Sequence, residues 1–346
     1  MSIASQITAL ENNISDAYAM VAQRGGTIPQ RKNMENLDTA IATIPSGSNV
    51  GIPREVSNSG VYQMPSSNFT FSLPSNVTRL GAYALAYAFY TNSKLTSVDL
   101  SSLTALDKEN SAYYAFAHCS GLTSADLSSL TTVGHNSLRY AFYICQNLAT
   151  VNLSSLAALS GADAMSYTFY GCSSLTNVDL SSLTTVSGAA AMYACFTTCS
   201  GLTTVDLSNL TTVSGNGGLQ QAFSQCSSLT SVDLSALATA SATNALVNLF
   251  LGCTSLTSFT FDSLSVVTGA NALMYAFRGC TALTSVSFPA LTVDSFGSRT
   301  DQFNSMLSGC SNVTVHFPSA IQSTIGNWAS VTSGFGGTNT TVRFDL

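Results

Sequence analysis

The chain has 346 residues, and only 8% of them are charged, whereas roughly 25% is usual in soluble domains. Its net charge of −6 argues against a nucleic-acid partner, which requires a basic surface. No stretch reaches the roughly 18 consecutive apolar residues of a membrane-spanning helix, so membrane insertion is not expected. Residues 1–13 also lack the basic and apolar regions of a secretory signal.

Residues 1–22 carry apolar side chains at alternating four- and three-residue steps, which is the seam of a heptad repeat. The seam consists of Ile3, Ile7, Leu10, Ile14, Ala17 and Val21. Isoleucine at both types of core position favours a trimer over a dimer, so a homo-oligomer is expected. Packing of this helix against its own chain is the alternative, because three heptads are few for a coiled coil.

A Gly25-Gly26 turn follows, and a second amphipathic helix is predicted before Pro45. Residues 1–45 resemble the N-terminal segments of tail-associated proteins from phages and prophages of gut bacteria, in which a "GGT-P" turn joins two such helices. The resemblance implies a helical attachment or oligomerisation module whose partners are other virion tail proteins. Residues 46–66 are rich in Ser, Asn, Gly and Pro and predict a linker.

From residue 67 onward the sequence repeats itself with a nearly constant period. A phenylalanine recurs at steps of 26 or 27 residues, at Phe89, Phe116, Phe142, Phe169, Phe196, Phe223, Phe250 and Phe277. Self-similarity at a short fixed period predicts a solenoid, in which each repeat buries its apolar side against its neighbours.

Each repeat contains two apolar patterns. The alternation in residues 175–180, LTNVDL, predicts a short strand with its apolar side chains facing inward. Upstream, Leu138, Ala141, Phe142 and Cys145 have the spacing of one stripe of an α-helix. The sequence therefore predicts about nine helix-turn-strand repeats over residues 67–310, closed by a C-terminal cap over residues 311–346. In this cap, a helix carrying Ile321, Ile325 and Trp328 and a last strand from Thr341 to Phe344 are expected.

These repeats resemble the leucine-rich repeat superfamily, specifically its BspA-like branch, in which repeats of the type CSSLTSVDLSS are common. The resemblance covers residues 61–317. It implies an α/β repeat fold, a gently curved solenoid with a parallel sheet on one face and short helices on the other.

Eight of the nine cysteines share one position of the repeat, namely Cys119, Cys145, Cys172, Cys199, Cys226, Cys253, Cys280 and Cys310. Cys195 fills a position that usually holds alanine. Stacked repeats place neighbouring cysteines roughly 5 Å apart with parallel Cβ directions, whereas a disulfide needs converging Cβ atoms about 3.8 Å apart. Buried, reduced thiols are therefore expected, with no metal and no other cofactor.

Outward-facing strand positions supply the first candidate recognition site, a ladder of Asp99, Asp126, Asn152, Asp179, Asp206 and Asp233. Its carboxylates would bind cations, carbohydrate hydroxyls or a basic protein patch. In the alternative interpretation, each aspartate hydrogen-bonds the neighbouring Ser, Thr or Asn rungs, such as Ser97 and Thr204, and closes the surface without binding anything.

Tyrosines around the predicted helical turns supply the second candidate site, and they are Tyr113, Tyr140, Tyr143, Tyr167, Tyr170 and Tyr193. Tyrosine is an efficient contact residue because its ring is large and has few rotatable bonds. The alternative is that these rings pack beside the core phenylalanines and are partly buried for structural reasons.

No catalytic constellation accompanies the repeats. The three histidines, His118, His135 and His316, occupy different repeat positions, and no Ser/His/Asp or Cys/His arrangement is present. The sequence therefore predicts a non-enzymatic protein, and the resemblance of residues 1–45 implies a protein of a phage or prophage tail tip or fibre. It would be assembled into the virion in the host cytoplasm and would bind a host-cell surface receptor, protein or glycan. The alternatives are a BspA-like bacterial surface adhesin and a virion spacer or decoration protein without a ligand.

Overall fold

The computed structural model describes residues 67–292, 301–323 and 334–346. The chain divides into two units, Met1–Ser66 and Ser67–Leu346, and every described residue belongs to the second. The predicted heptad seam from Ile3 to Val21, the attachment module over residues 1–45 and the linker over residues 46–66 lie outside the described residues.

The second unit is a solenoid of parallel strands, and one strand per coil builds its strand face. Seven of these strands form one sheet. They are β1 Phe69–Ser72, β2 Leu95–Asp99, β4 Ser124–Asp126, β6 Thr150–Asn152, β8 Asn177–Asp179, β10 Thr204–Asp206 and β12 Ser231–Asp233, and they lie in the sheet in this order. A second sheet continues the array with β14 Ser258–Thr260, β15 Ser285–Ser287, β16 Thr314–Phe317 and β17 Thr341–Phe344.

A third sheet, narrower than these two, is formed by two-residue strands that follow most of the main strands. Its members are β3 Ala105–Leu106, β5 Thr132–Val133, β7 Ala158–Leu159, β9 Thr185–Val186, β11 Thr212–Val213 and β13 Thr239–Ala240. All of its pairings are parallel and join consecutive coils. The strands predicted from the Val-x-Leu alternation are thus present, and a second strand per coil accompanies most of them.

The third side of each coil, here called the turn face, spans residues 81–92, 108–119, 134–145, 161–172, 188–199, 215–226, 242–253 and 269–280. The helices predicted for these segments, and with them the predicted α/β fold class, are wrong. The described residues form a parallel β-solenoid with no α-helix and only a 3-10 turn at Ser319–Ile321. Each segment is a chain of overlapping β-turns. The Arg139 and Ala141 amides bond carbonyls three residues earlier, at 3.1 and 2.9 Å.

Between those turns, alternate amides bond the next coil. The amides of Leu138 and Phe142 donate to the carbonyls of Ala164 and Thr168 at 2.9 and 3.0 Å. Every fourth residue has a positive φ, as at Asn136, Tyr140 and Ile144. This four-residue period places Leu138 and Phe142 on the same inward side, and it mimics the i, i+4 spacing of an α-helix.

The core is made of side-chain ladders that run from coil to coil. From Phe89 to Phe277 the eight repeat phenylalanines stack, with consecutive ring centroids 5.1–5.8 Å apart. Inward strand residues such as Val178 and Leu180 are fully or almost fully buried beside them. Burial of apolar area between coils is the main stabilising contribution expected for a repeat protein.

The strand face has one break, between β12 and β14, which belong to different sheets. Phe259 stands on β14 where most coils have valine, and its ring lies 4.9 Å from Phe250 and 5.7 Å from Phe277. The larger ring alone does not account for the interruption, because Phe71 at the same position still pairs with Val98, and Phe259 itself pairs with Val286. Because Thr239 still pairs with Val266, the narrow face continues across the break.

The C-terminal cap contains the predicted last strand, β17, which pairs with β16 in parallel. The helix predicted to carry Ile321, Ile325 and Trp328 is described only as far as residue 323, where it is the 3-10 turn ending at Ile321. Phe344 stacks on Phe317 with ring centroids 6.1 Å apart and ends a separate phenylalanine stack that begins at Phe261 and passes through Phe288. Across the described ranges, no helix has the length and apolar character needed to cross a membrane.

Candidate functional site: two ladders on the solenoid surface

The predicted aspartate ladder lies on the strand face, with its members in register. Asp99 pairs with Asp126, Asn152 with Asp179, and Asp206 with both Asp179 and Asp233. Neighbouring strands are about 4.8 Å apart, so the carboxylates repel one another along the ladder. Asn152 interrupts this run of like charges at its third rung.

Each ladder residue accepts a hydrogen bond from the serine two residues later, and not from the rungs beside it. Asp179 Oδ1 accepts from the Ser181 hydroxyl at 2.6 Å and the Ser181 amide at 2.9 Å. Asn152 makes the same pair of bonds with Ser154. The side chains therefore cap the turn after each strand, in the manner of an Asx turn.

These bonds affect the ionisation of two ladder members. Hydrogen bonds from the serine hydroxyl and then the serine amide lower the pKa of Asp99 and of Asp179 below the usual 3.8. Both carboxylates are well exposed, so solvent screens their interactions with the rest of the chain.

Part of the ladder lines an open groove of about 710 Å³ on the strand face, next to the break at Phe259. Its acidic lining residues are Asp179, Asp206, Asp233 and Asp262, and no lysine or arginine lines it. No group of three or more His, Cys, Asp or Glu side chains in the described ranges is arranged to hold a metal ion.

The tyrosines lie on the turn face of the first coils. Four of them, Tyr87, Tyr114, Tyr140 and Tyr167, form a stack that we call the tyrosine ladder. Consecutive ring centroids are 5.2, 4.4 and 4.7 Å apart, and the ring planes lie within 14° of parallel. Two members, Tyr140 and Tyr167, were predicted as contact residues.

The other predicted tyrosines surround this ladder and are half-buried. Tyr113 packs edge-on against Tyr114 at 4.7 Å, and Tyr193 packs edge-on against Tyr167 at 5.1 Å. Tyr143 and Tyr170 form a second, shorter stack with centroids 5.1 Å apart. All six predicted tyrosines therefore belong to one continuous aromatic surface.

The most exposed aromatic residues of this surface were not predicted. Tyr83, Tyr87 and Tyr90 are 53%, 43% and 40% exposed and all lie in the first turn segment. Tyr114 and His118 were also missed, and His118 bridges Tyr90 and Tyr143 with edge-on contacts of 5.6 and 5.5 Å. The signal was present, because the first four repeats all have tyrosine two residues before the core phenylalanine.

The backbone of the tyrosine ladder is unusual for bulky residues. Tyr87, Tyr114, Tyr140 and Tyr167 have φ values of 56°, 52°, 57° and 56°, a region that favours glycine and asparagine. The fold does not require tyrosine there, since the same position in the next three coils holds Ala194, Gln221 and Asn248. Tyrosine at this position is therefore better explained by its side chain than by the backbone.

The electrostatic character of the tyrosine surface is close to neutral. Arg139 lies 5.4 Å from the centroid of the Tyr140 ring and pairs with Asp163 at 3.6 Å. Burial raises the pKa of Tyr87 to about 12, with a smaller contribution from neighbouring Tyr113. The Tyr87 hydroxyl thus stays protonated at physiological pH, where it can donate and accept hydrogen bonds.

The cysteine ladder is inert by comparison. All nine cysteines are buried with free thiols, as expected. Burial raises the pKa of Cys119 to about 12 and raises that of Cys199 well above its ordinary value. A nucleophilic cysteine needs a lowered pKa and access to solvent, so these side chains act as small core residues.

Parallel strands stacked once per coil around leucine and phenylalanine ladders define a solenoid of the leucine-rich repeat class. The chain belongs to the family of BspA type leucine rich repeat regions, which matches residues 56–164, 112–235, 138–274 and 219–329. This confirms the resemblance found in the repeats. The match begins at residue 56, so the resemblance of residues 1–45 to tail-associated proteins remains a prediction.

Solved structures also match this chain. One is the crystal structure of a leucine rich repeat protein from T. pallidum, with 24% sequence identity and a TM-score of 0.32. The alignment covers 48% of this chain and 69% of that one. No curated protein matches.

Proposed function

We propose that this chain is a non-enzymatic adhesive protein that attaches a particle or a cell to a target surface. The observation that carries the proposal is the aromatic surface on the turn face, where Tyr83, Tyr87 and Tyr90 are exposed. Contiguous exposed aromatic surface is rare on proteins without a binding partner, and tyrosine is enriched in binding sites.

The distribution of tyrosines along the solenoid supports this proposal. The aromatic surface occupies the first five turn segments, from Tyr83 to Tyr193, whereas Tyr275 is the one tyrosine of the later described segments. The phenylalanine ladder continues unchanged through both halves, so the core does not require this asymmetry. One end of the solenoid is therefore specialised for contact.

The version that we favour places the protein on a phage or prophage tail tip or fibre. Residues 1–45 would bind other virion tail proteins or form a homotrimer through the seam from Ile3 to Val21. This version depends on the sequence resemblance of residues 1–45 alone. The second version is a BspA-like adhesin on a bacterial surface, and family membership fits it as well as it fits the first version.

Two measurements on the full chain test the proposal. Labelled protein should bind cells of the target species saturably, and absence of saturable binding to a broad cell panel would contradict an adhesive function. Gold-labelled antibody against the chain should decorate tail tips in a lysate from an induced lysogen. Decoration of intact bacterial cells, with bare phage particles, would replace the tail version with the surface-adhesin version.

A further inference from the structure

We propose that the tyrosine ladder and its neighbours bind a linear, uncharged glycan that runs along the solenoid axis. This proposal rests on the adhesive function above and names the chemical class of its ligand.

Stacking in the tyrosine ladder leaves ring edges and hydroxyl groups uncovered. Ring planes within 14° of parallel and centroids 4.4–5.2 Å apart mean that the ring faces inside the ladder cover one another. Of the uncovered hydroxyls, that of Tyr87 interacts with Tyr113 and that of Tyr167 with Tyr193. A tyrosine hydroxyl donates one hydrogen bond and accepts others, as the hydroxyls of a sugar do.

The tyrosine surface carries little net charge. Arg139, which lies over the Tyr140 ring, is paired with Asp163 at 3.6 Å, so these two charges cancel. Recognition of a charged ligand needs a fixed opposite charge at the site. The Tyr87 phenol cannot supply it, because burial raises its pKa to about 12. The surface therefore suits a neutral polyol better than an acidic or basic polymer.

The tyrosine ladder repeats the same contact from coil to coil. One ladder tyrosine per coil, with a coil spacing of about 4.8 Å, offers the same contact four times along a line. A polymer with a repeating unit can use successive contacts of this kind, and weak contacts then add through high effective concentration. An extended ligand that lies parallel to the solenoid axis gains the most affinity from such repeated contacts.

A protein partner fits these observations less well. Binding hot spots in protein interfaces are aromatic side chains that enter desolvated pockets on the partner. In the ladder, Tyr114 and Tyr140 are held between neighbouring rings and do not project as separate anchors. Binding to a protein would also depend on ring area and would tolerate phenylalanine.

The test uses the full chain and a variant in which the rings remain but the hydroxyls are removed. The variant is Tyr87→Phe, Tyr114→Phe, Tyr140→Phe and Tyr167→Phe combined. Tyr275→Phe is the matched control, because Tyr275 has the same repeat position, a φ of 57° and similar burial in a later coil. Thermal unfolding should be nearly the same for all three proteins, since stacking is retained.

Affinity electrophoresis through gels containing dextran, pullulan, linear mannan or linear galactan measures binding, with polygalacturonate as the charged comparison. At least one uncharged polysaccharide should retard the full chain and the Tyr275→Phe control. The ladder variant should bind it about tenfold more weakly or worse, which corresponds to ~1.4 kcal/mol. Retardation by none of the four, by polygalacturonate alone, or equally for ladder variant and control overturns the proposal.

Cell binding separates this proposal from the adhesive function on which it rests. Target cells are treated with periodate, which cleaves vicinal diols of sugars, or with protease, before labelled full chain is added. Loss of binding after periodate supports a glycan ligand. Binding that survives periodate but not protease overturns the glycan and leaves the adhesive function intact, whereas absence of binding to untreated cells overturns both.

Discussion

The thiol of Cys199 donates a hydrogen bond to the backbone carbonyl of Phe169, 3.0 Å away and 30 residues earlier in the chain. The same carbonyl accepts the amide of Cys172 in its own coil at 3.1 Å. Both lone pairs of a buried carbonyl are thus used, one within the coil and one between coils. Eight cysteines repeat this contact, which explains why the Phe-x-x-Cys spacing recurs.

Replacing Cys199 by alanine should destabilise the solenoid by about 1–2 kcal/mol, because it removes a buried contact and the thiol hydrogen bond. Urea unfolding of the full chain measures this loss. Cys195→Ala is the control, since alanine fills the equivalent position at Ala115, Ala141 and Ala222. The control should lose less. An equal loss at both positions would mean that the thiol-to-carbonyl bond contributes nothing specific.

Gly188 lies where two coils approach closely, and a Cβ built there would clash with the carbonyl oxygen of Gly161. Gly188→Ala should therefore force neighbouring coils apart and cost about 2 kcal/mol or more. Gly81→Ala is the matched control, because a Cβ at Gly81 meets nothing within 4 Å and the residue has the same repeat position. A thermal midpoint for Gly188→Ala as high as that of the control would refute this close approach.

Asp179 should tolerate asparagine and not alanine. The Asp179 side chain accepts two hydrogen bonds from Ser181, and an amide oxygen retains that role, as at Asn152. Asp179→Ala should lose about 1 kcal/mol of unfolding free energy. Asp179→Asn should be neutral or slightly stabilising, because it also removes repulsion from Asp206. If both variants are equally destabilised, capping of the turn is not what Asp179 does.

The same hydrogen bonds predict how stability depends on pH. The pKa of Asp99 and of Asp179 is lower in the folded chain than the ordinary value of 3.8. Their contribution is complete above pH 3.8 and is lost as the pH falls through the lower folded-state values. Urea unfolding of the wild type and of a double Asp99→Asn, Asp179→Asn variant, from pH 6 to pH 2.5, measures this. The variant should lose less stability on acidification, and parallel curves would count against the assigned bonds.

The strands could be predicted from sequence because an alternation such as LTNVDL has a period of two, which few other structures produce. The turn face could not be predicted from apolar spacing, because a four-residue turn period and a 3.6-residue helical period look alike over three apolar residues. A better signal was available. Asn110, Asn136, Asn244 and Asn271 recur at one repeat position, where each has a positive φ.

The candidate sites were predicted only in part. The aspartates were found because their outward strand position follows from alternation, but their bonds to serine two residues later depend on turn geometry. Tyr140 and Tyr167 were included because they lie among the tyrosines around the predicted helical turns. Tyr87 and Tyr114 were missed although the repeat period alone aligns them with Tyr140, because the tyrosines were not compared by repeat position.

In the proposed function, the tyrosine surface of the first coils is the adhesive face. The most direct test measures the apparent dissociation constant of full chain for target cells by flow cytometry, for wild type, for Tyr87→Ala combined with Tyr90→Ala, and for Tyr275→Ala. Loss of two contact tyrosines should weaken binding about tenfold or more, while Tyr275→Ala should bind like the wild type. Equal affinity of all three proteins would contradict an adhesive role of the tyrosine surface and would place the adhesive face elsewhere.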